Sequence, residues 1–153
     1  MAASPTIWTI GYERASSDAL LAALKAAGVQ VLMDVRDLPL SRRAGFSKST
    51  LRASLEAVGI EYVHLKGLGT PKEGRLAARS GDVKALKRIY AKHLKTDIAK
   101  QEMSELSMLI AKAGPVCILC YERDHSECHR KFIAEIIEEK DGVAVENLVA
   151  PQM

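Results

Sequence analysis

Residues 116–131 read VCILCYERDHSECHRK, and how they fold decides how the whole chain folds. Residues 116–119 are an unbroken apolar run ending at Cys120, which reads as a strand buried on both faces. A polar loop follows from Tyr121 to His125. From Ser126 to Lys140 the spacing turns helical, with Phe132, Ile133, Ile136 and Ile137 on one side. A buried strand that passes through a polar turn into a helix is part of a βαβ pattern. Open α/β sheets place ligands in that position, just beyond the carboxyl ends of the strands. Cys120, Cys128, His125, His129, Arg123 and Arg130 all fall within the eleven positions 120–130.

Upstream, the same alternation recurs. Residues 6–10, TIWTI, are β-prone and end at Gly11-Tyr12. A helix follows, with Ser17 as N-cap, Leu20, Leu21 and Leu24 at apolar spacing, and Gly28 after its end. Residues 29–35, VQVLMDV, form the second strand, with Asp34 near its end. The stretch from Arg36 to Phe46 is a loop by its proline, glycine and charge. Ser47 or Ser49 then caps a helix that closes at Gly59. Residues 60–65, IEYVHL, are the third strand. The glycine-rich segment 66–81, KGLGTPKEGRLAARSG, reads as a mobile loop. Asp82 caps a long helical stretch that Thr96-Asp97 divides in two, and Asp141-Gly142 precedes a fifth strand over residues 143–149.

Alternating strands and helices imply βαβ units and a parallel sheet. The expected fold is a single three-layer α/β domain spanning residues 1–153, with a mostly parallel sheet of about five strands. The Rossmann-like order 3-2-1-4-5 is preferred. It places a crevice between the ends of strands one and four, where the chain reverses direction.

Composition narrows the classes. The 153 residues carry 48% hydrophobic side chains and a net charge of +3, enough for one core and too little charge to imply nucleic acid by itself. The charge is uneven. Between Arg36 and Arg52, five cations (Arg36, Arg42, Arg43, Lys48 and Arg52) face Asp37 alone. Three cysteines is an odd count, which points away from a disulfide-framed secreted domain and toward a reducing cytoplasm. The opening MAASPTIWTI lacks the basic and apolar regions of a signal peptide. No apolar run approaches the roughly 20 residues that span a bilayer, so no membrane partner is expected.

Three chemistries suit the strand–turn–helix. Cys128 in the first turn of a helix would have its thiolate stabilised by the helix N-terminus, with His129 or Glu122 moving protons. Cys120, His125, Cys128 and His129 offer four zinc ligands, but adjacent residues 128 and 129 would point to different faces of a helix, so no metal is assigned. Cys120 and Cys128 would form a disulfide only with Cα atoms within about 7 Å. A buried, inert Cys120 is the alternative to all three. The spacing Cys117-x5-Arg123 formally matches a phosphatase signature but lacks a glycine-rich cradle for phosphate.

The arginines are the second signal. Arg36, Arg42 and Arg43 would clamp phosphate or carboxylate, joined by N–H groups of the helix starting near Ser47. Asp34 and Asp37 would pair with these arginines and orient them, or act as acid and base, and an exposed Phe46 would suit stacking on a base. Tyr12 would donate to a substrate oxygen. A solvated basic loop is the plainer reading of the same residues. His64, at the end of strand three, reads as a satisfied structural histidine.

Taken together, Thr9-Ile10-Gly11-Tyr12, Asp34-Val35-Arg36 with Pro39, Ser41-Arg42, Gly45-Phe46-Ser47, Tyr62, Leu68-Gly69, Leu119-Cys120-x-Glu122 and Cys128-His129-Arg130 resemble the bacterial and archaeal family called domain of unknown function 488. Glu13 stands where members of that family usually carry serine. The resemblance implies an α/β domain without a settled activity, and a functional cluster of Arg36, Arg42, Cys120, Glu122, Cys128, His129 and Arg130.

The expectation is an enzyme for an anionic, phosphate-bearing or nucleic-acid-derived substrate. Catalytic groups are Cys120, Glu122, Cys128 and His129. Anion-binding groups are Tyr12, Asp34, Arg36, Ser41, Arg42, Arg43, Phe46 and Arg130. A nucleic-acid or nucleotide-binding module and a metal or redox sensor using Cys120 and Cys128 are the rivals. No motif names a cofactor.

Overall fold

The computed structural model describes residues 6–112 and 114–151. Residues 1–5, within the stretch read above as unlike a signal peptide, lie outside them.

Five strands form one parallel sheet: β1 (Thr6–Gly11), β2 (Val31–Asp34), β3 (Glu61–His64), β4 (Val116–Cys120) and β5 (Ala144–Val149). Their order is β3-β2-β4-β1-β5. The expected order had β1 beside β2; instead β4 lies between them. All five β4 residues are buried, as a strand covered on both faces requires. Val116, Ile118 and Cys120 join the core on one face of the sheet, and Cys117 and Leu119 join the core on the other.

Helices cover both faces, as the three-layer expectation held. One face carries α1 (Ser17–Ala26) and α2 (Lys48–Ala57), through Leu20, Leu24, Leu51 and Leu55. The other carries α3 (Lys72–Arg79), α4 (Val83–His93), α5 (Asp97–Lys112) and α6 (Arg130–Asp141), through Ala77, Leu86, Tyr90, Leu106 and Ile133. Full burial of each such leucine or isoleucine contributes roughly 1.5–3 kcal/mol. Asp82 caps α4 by accepting from the Ala85 N–H at 3.0 Å, and α5 starts at Asp97, where the division was expected. Ser16 rather than Ser17 caps α1, accepting from the Ala19 N–H.

Two expectations fail in ways that shape the site. The segment read as a mobile loop contains a short 3-10 turn (Lys66–Leu68) and the helix α3. Its sequence hid the helix because α3 packs through small residues, Gly74, Ala77 and Ala78, while its one large apolar side chain, Leu76, is exposed. A Cβ at Gly74 would collide with the Thr70 methyl. The last helix begins at Arg130, not Ser126. Residues His125–Glu127 make a 3-10 turn, Cys128 is extended (φ −128°, ψ 149°), and only His129 enters helical geometry.

Candidate functional site

The inserted β4 brings Cys120 opposite Gly11 of β1, while Leu119 lies opposite Asp34 of β2. The backbone carbonyl of Cys120 accepts from the Tyr12 N–H, and that of Leu119 from the Val35 N–H. The loops leaving β1, β2 and β4 therefore meet at one mouth. A Cβ on Gly11 would run into the carbonyl of Glu122, so only glycine lets the β1 and β4 loops approach this closely.

The β2 loop is held by one buried ion pair. Arg36 Nε and Nη2 donate to the two carboxylate oxygens of Asp34 at 2.8 and 2.7 Å, and Nη1 donates to the Phe46 carbonyl at 2.7 Å and the Tyr12 hydroxyl at 3.3 Å. The Tyr62 hydroxyl donates to Asp34 at 2.6 Å. Burial is the largest influence on the Arg36 guanidinium and pulls its pKa down, but the hydrogen bonds and charge of Asp34 and Tyr12 together raise it above its ordinary value. Burial, with the charge of Asp34, also raises the Tyr62 hydroxyl. Asp34 thus has its oxygens filled and is a brace rather than an acid or base. His64 Nε2 lies 2.8 Å from the Arg36 carbonyl, the satisfied structural role expected of it.

Phe46 is 1% exposed and stacks on Tyr12 at 4.6 Å between ring centroids, so it is not the exposed platform the sequence suggested. Arg43 lies over the Phe46 ring at 4.7 Å and donates to the Tyr12 carbonyl at 2.8 Å. Ser41 Oγ accepts from the Arg43 N–H, and Ser47 closes the loop onto Ser41. Ser47 consequently makes no side-chain cap on α2, and the Lys48 N–H goes to the Pro39 carbonyl.

Arg130 is 0% exposed. Nε donates to Thr9 Oγ1 at 3.2 Å and Nη2 to the Arg123 carbonyl at 3.2 Å. Nη1 donates to the Glu122 carbonyl and, at 3.0 Å, to Cys120 Sγ. Burial lowers its pKa to about 10. The expected anion clamp at Arg130 is therefore an interior brace for the β4 loop, in contact with sulfur.

These loops and α3 enclose a cleft of about 610 Å³. Tyr12, Arg36, Ser41, Arg42, Arg43, Cys120, Glu122 and His129 line it, as the sequence reading required. Asp34, Phe46, Cys128 and Arg130 are buried and do not line it. The cleft also takes in Thr70, in the loop before α3, and Arg75 and Arg79 on α3, which sequence reasoning missed because it read that helix as a loop. Arg75 donates to Asp37 at 2.7 Å and to the Thr70 carbonyl at 2.9 Å. Among the described residues, Arg42 and Arg79 have no hydrogen-bond or ion-pair partner, and both are exposed. Thr70 is 3% exposed, and its Oγ1 has no partner there either.

On the cleft floor, Cys120 is joined to Cys128 as a disulfide, with Cα atoms 7.4 Å apart. Glu122 Oε2 is 3.7 Å from Cys120 Sγ, and burial raises the Glu122 pKa. His129 Nε2 bonds the Val35 carbonyl at 2.8 Å, and Nδ1 is 3.6 Å from Cys128 Sγ. Burial lowers the His129 pKa to about 4. His125 lines a separate groove with Glu13, Arg14 and Asp124. Cys117, the nucleophile of the formal phosphatase spacing, is fully buried with its thiol pushed up by desolvation.

The fold and the mouth define a three-layer α/β protein with a parallel sheet and an arginine-lined cleft at the carboxyl ends of its strands. The chain belongs to the family of the domain of unknown function DUF488, whose model matches residues 16–137. That span takes in Asp34-Val35-Arg36, Cys120 and Cys128-His129-Arg130 and leaves the Thr9–Tyr12 motif outside. Neither the curated proteins nor the solved structures yield a match to the chain. No helix among the described residues is long and apolar enough to cross a membrane.

Proposed function

We propose that the protein is a cytoplasmic enzyme that binds a phosphate-bearing anion, such as a nucleotide or another nucleic-acid-derived molecule, in the arginine cleft. The ligand's reacting end lies over Cys120 and Glu122. One observation carries the reading: five arginines, Arg36, Arg42, Arg43, Arg75 and Arg79, face only two carboxylates, Asp37 and Glu122, in a single cleft. Arg36 and Arg75 spend donors on Asp34 and Asp37. Arg42 and Arg79 therefore supply the clamp, with Arg43 steered beside them, since guanidinium groups match phosphate oxygens in pairs. The exposed Leu38, Leu40 and Tyr121 line the same cleft and offer apolar cover for a base or a similar ring.

A cleft that only bound anions would need neither sulfur nor a carboxyl group. Here Glu122 is desolvated, so it holds a proton more readily than an exposed carboxylate and suits proton transfer. The non-enzymatic nucleic-acid module loses support because its basic stretch is divided. Arg36 is sealed against Asp34, and Arg52 lies over Tyr62, 5.2 Å from the ring centroid.

Calorimetric titration with pyrophosphate and with ATP, at low and high salt, tests the reading. Binding that weakens with salt is expected, with loss in the Arg42→Ala, Arg79→Ala double variant. Absence of heat with either ligand at low salt would remove the anion site. Once a turned-over ligand is found, Glu122→Gln is expected to bind it but not convert it.

A further inference from the structure

We propose that the reduced protein holds a zinc ion on Cys120, Cys128 and His129, with a fourth coordination position open to the arginine cleft. Their ligand atoms lie within 4.8 Å of one another. Two thiolates and an imidazole are a donor set that selects zinc over harder cations.

Three features of the surroundings favour an ion. The first is the tautomer of His129. Nε2 lies 2.8 Å from the Val35 carbonyl, and a carbonyl only accepts, so Nε2 carries the proton. Nδ1 is left with its lone pair on the sulfur side, 3.6 Å from Cys128 Sγ. Metal-binding histidines are oriented by this kind of outer hydrogen bond.

The second is the backbone spacing. Cys120 is locked in the central strand and Cys128 is extended ahead of α6, with Cα atoms 7.4 Å apart. Disulfides usually join Cα atoms about 4.4–6.8 Å apart. Two sulfurs sharing one tetrahedral zinc, at bonds of about 2.3 Å, sit roughly 3.8 Å from each other, which accommodates a wider backbone. The third is charge. Two thiolates buried side by side repel each other strongly. A divalent cation neutralises them, and Arg130 Nη1, 3.0 Å from Cys120 Sγ, supplies an outer hydrogen bond.

The objection from sequence, that neighbouring residues 128 and 129 diverge on a helix, does not apply. Cys128 is extended and precedes the helix, so the two side chains converge. Cys120 and His129 both line the cleft. Three protein ligands with an open position are the pattern of a reactive rather than a structural zinc site. The metal site stands without the anion reading. Only the assignment of its fourth ligand, an oxygen of the bound phosphate, rests on that reading.

The test is titration of the wild-type protein with cobalt(II), after reduction and removal of metal. One equivalent is expected to produce the thiolate-to-cobalt absorption band and the intense visible bands of a four-coordinate site, and zinc is expected to displace it. Added pyrophosphate should shift the visible bands. Cys117→Ser should bind cobalt as the wild type does. Cys128→Ser and His129→Gln should each weaken it by more than about a hundredfold, since even outer partners of metal ligands cost 10–100-fold. Absence of the charge-transfer band at saturating cobalt overturns the site. So does equal loss in Cys117→Ser. Unshifted bands with pyrophosphate overturn the phosphate oxygen as fourth ligand. The Arg42→Ala, Arg79→Ala variant separates the two readings: it should keep cobalt and lose pyrophosphate.

Discussion

Two pairs of arginines surround one cleft and do opposite work. Arg36 and Arg130 are buried, and their donors go to carboxylate, carbonyl, hydroxyl and sulfur within the protein. Arg42 and Arg79 are exposed and, among the described residues, unpartnered. A buried guanidinium persists only when its donors and charge are matched, so it has little left for a ligand. An exposed one keeps its donors in water, ready to exchange them for phosphate. The inner pair shapes the mouth, and the outer pair is where binding is expected.

The largest effect should come from breaking the inner pair. Asp34→Ala leaves Arg36 and Tyr62 without their acceptor and is expected to destabilise by roughly 3–5 kcal/mol, read by denaturant unfolding. If the loss were under about 1 kcal/mol, Arg36 would not be the clasp described here. A smaller effect concerns pH. His129 is held neutral when folded, with a pKa of about 4 against an ordinary 6.5. The unfolded chain therefore binds more protons between these values, and stability falls as pH drops from about 6.5 toward 4. The contribution is on the order of 3 kcal/mol. Metal-free His129→Gln should show a flatter stability–pH curve over that window; an unchanged slope would mean that the ring is not desolvated.

Gly11→Ala comes next. The new methyl group meets the Glu122 carbonyl, and overpacking of this sort costs about 1–3 kcal/mol. Anion binding should fall with it, because the β4 loop must move. Wild-type affinity in a folded Gly11→Ala protein would show that the mouth tolerates displacement. The smallest stability change belongs to the outer pair. Arg42→Ala with Arg79→Ala should shift unfolding by no more than about 0.5 kcal/mol. Each lost charged hydrogen bond is nonetheless worth about 1.5–3 kcal/mol, or roughly tenfold or more in pyrophosphate affinity. A variant that loses stability but keeps affinity would invert the comparison.

Part of this contrast was legible in the residues. The stretch 116–120 declared a buried strand, and its five residues are all buried. The gathering of Cys120, Glu122, His129 and the 36–43 arginines at strand ends was also anticipated, and they do share one cleft. Which arginines remain free was not. Arg36, Arg42 and Arg130 look alike as letters, and only burial against Asp34 or Thr9 distinguishes them. Arg75 and Arg79 were hidden because a helix packed on glycine and alanine carries almost no apolar period.

The sequence by itself determined the layers, the parallel strands and the end of the sheet where chemistry gathers, because these follow from local periodicity, caps and turns that neighbouring residues share. Tertiary structure alone decided that β4 enters between β2 and β1, that Cys128 is extended beside His129, and that two arginines are sealed while two stay in water. Those outcomes depend on crossovers and desolvation between segments many residues apart, where the energy of a side chain is set by what is packed against it.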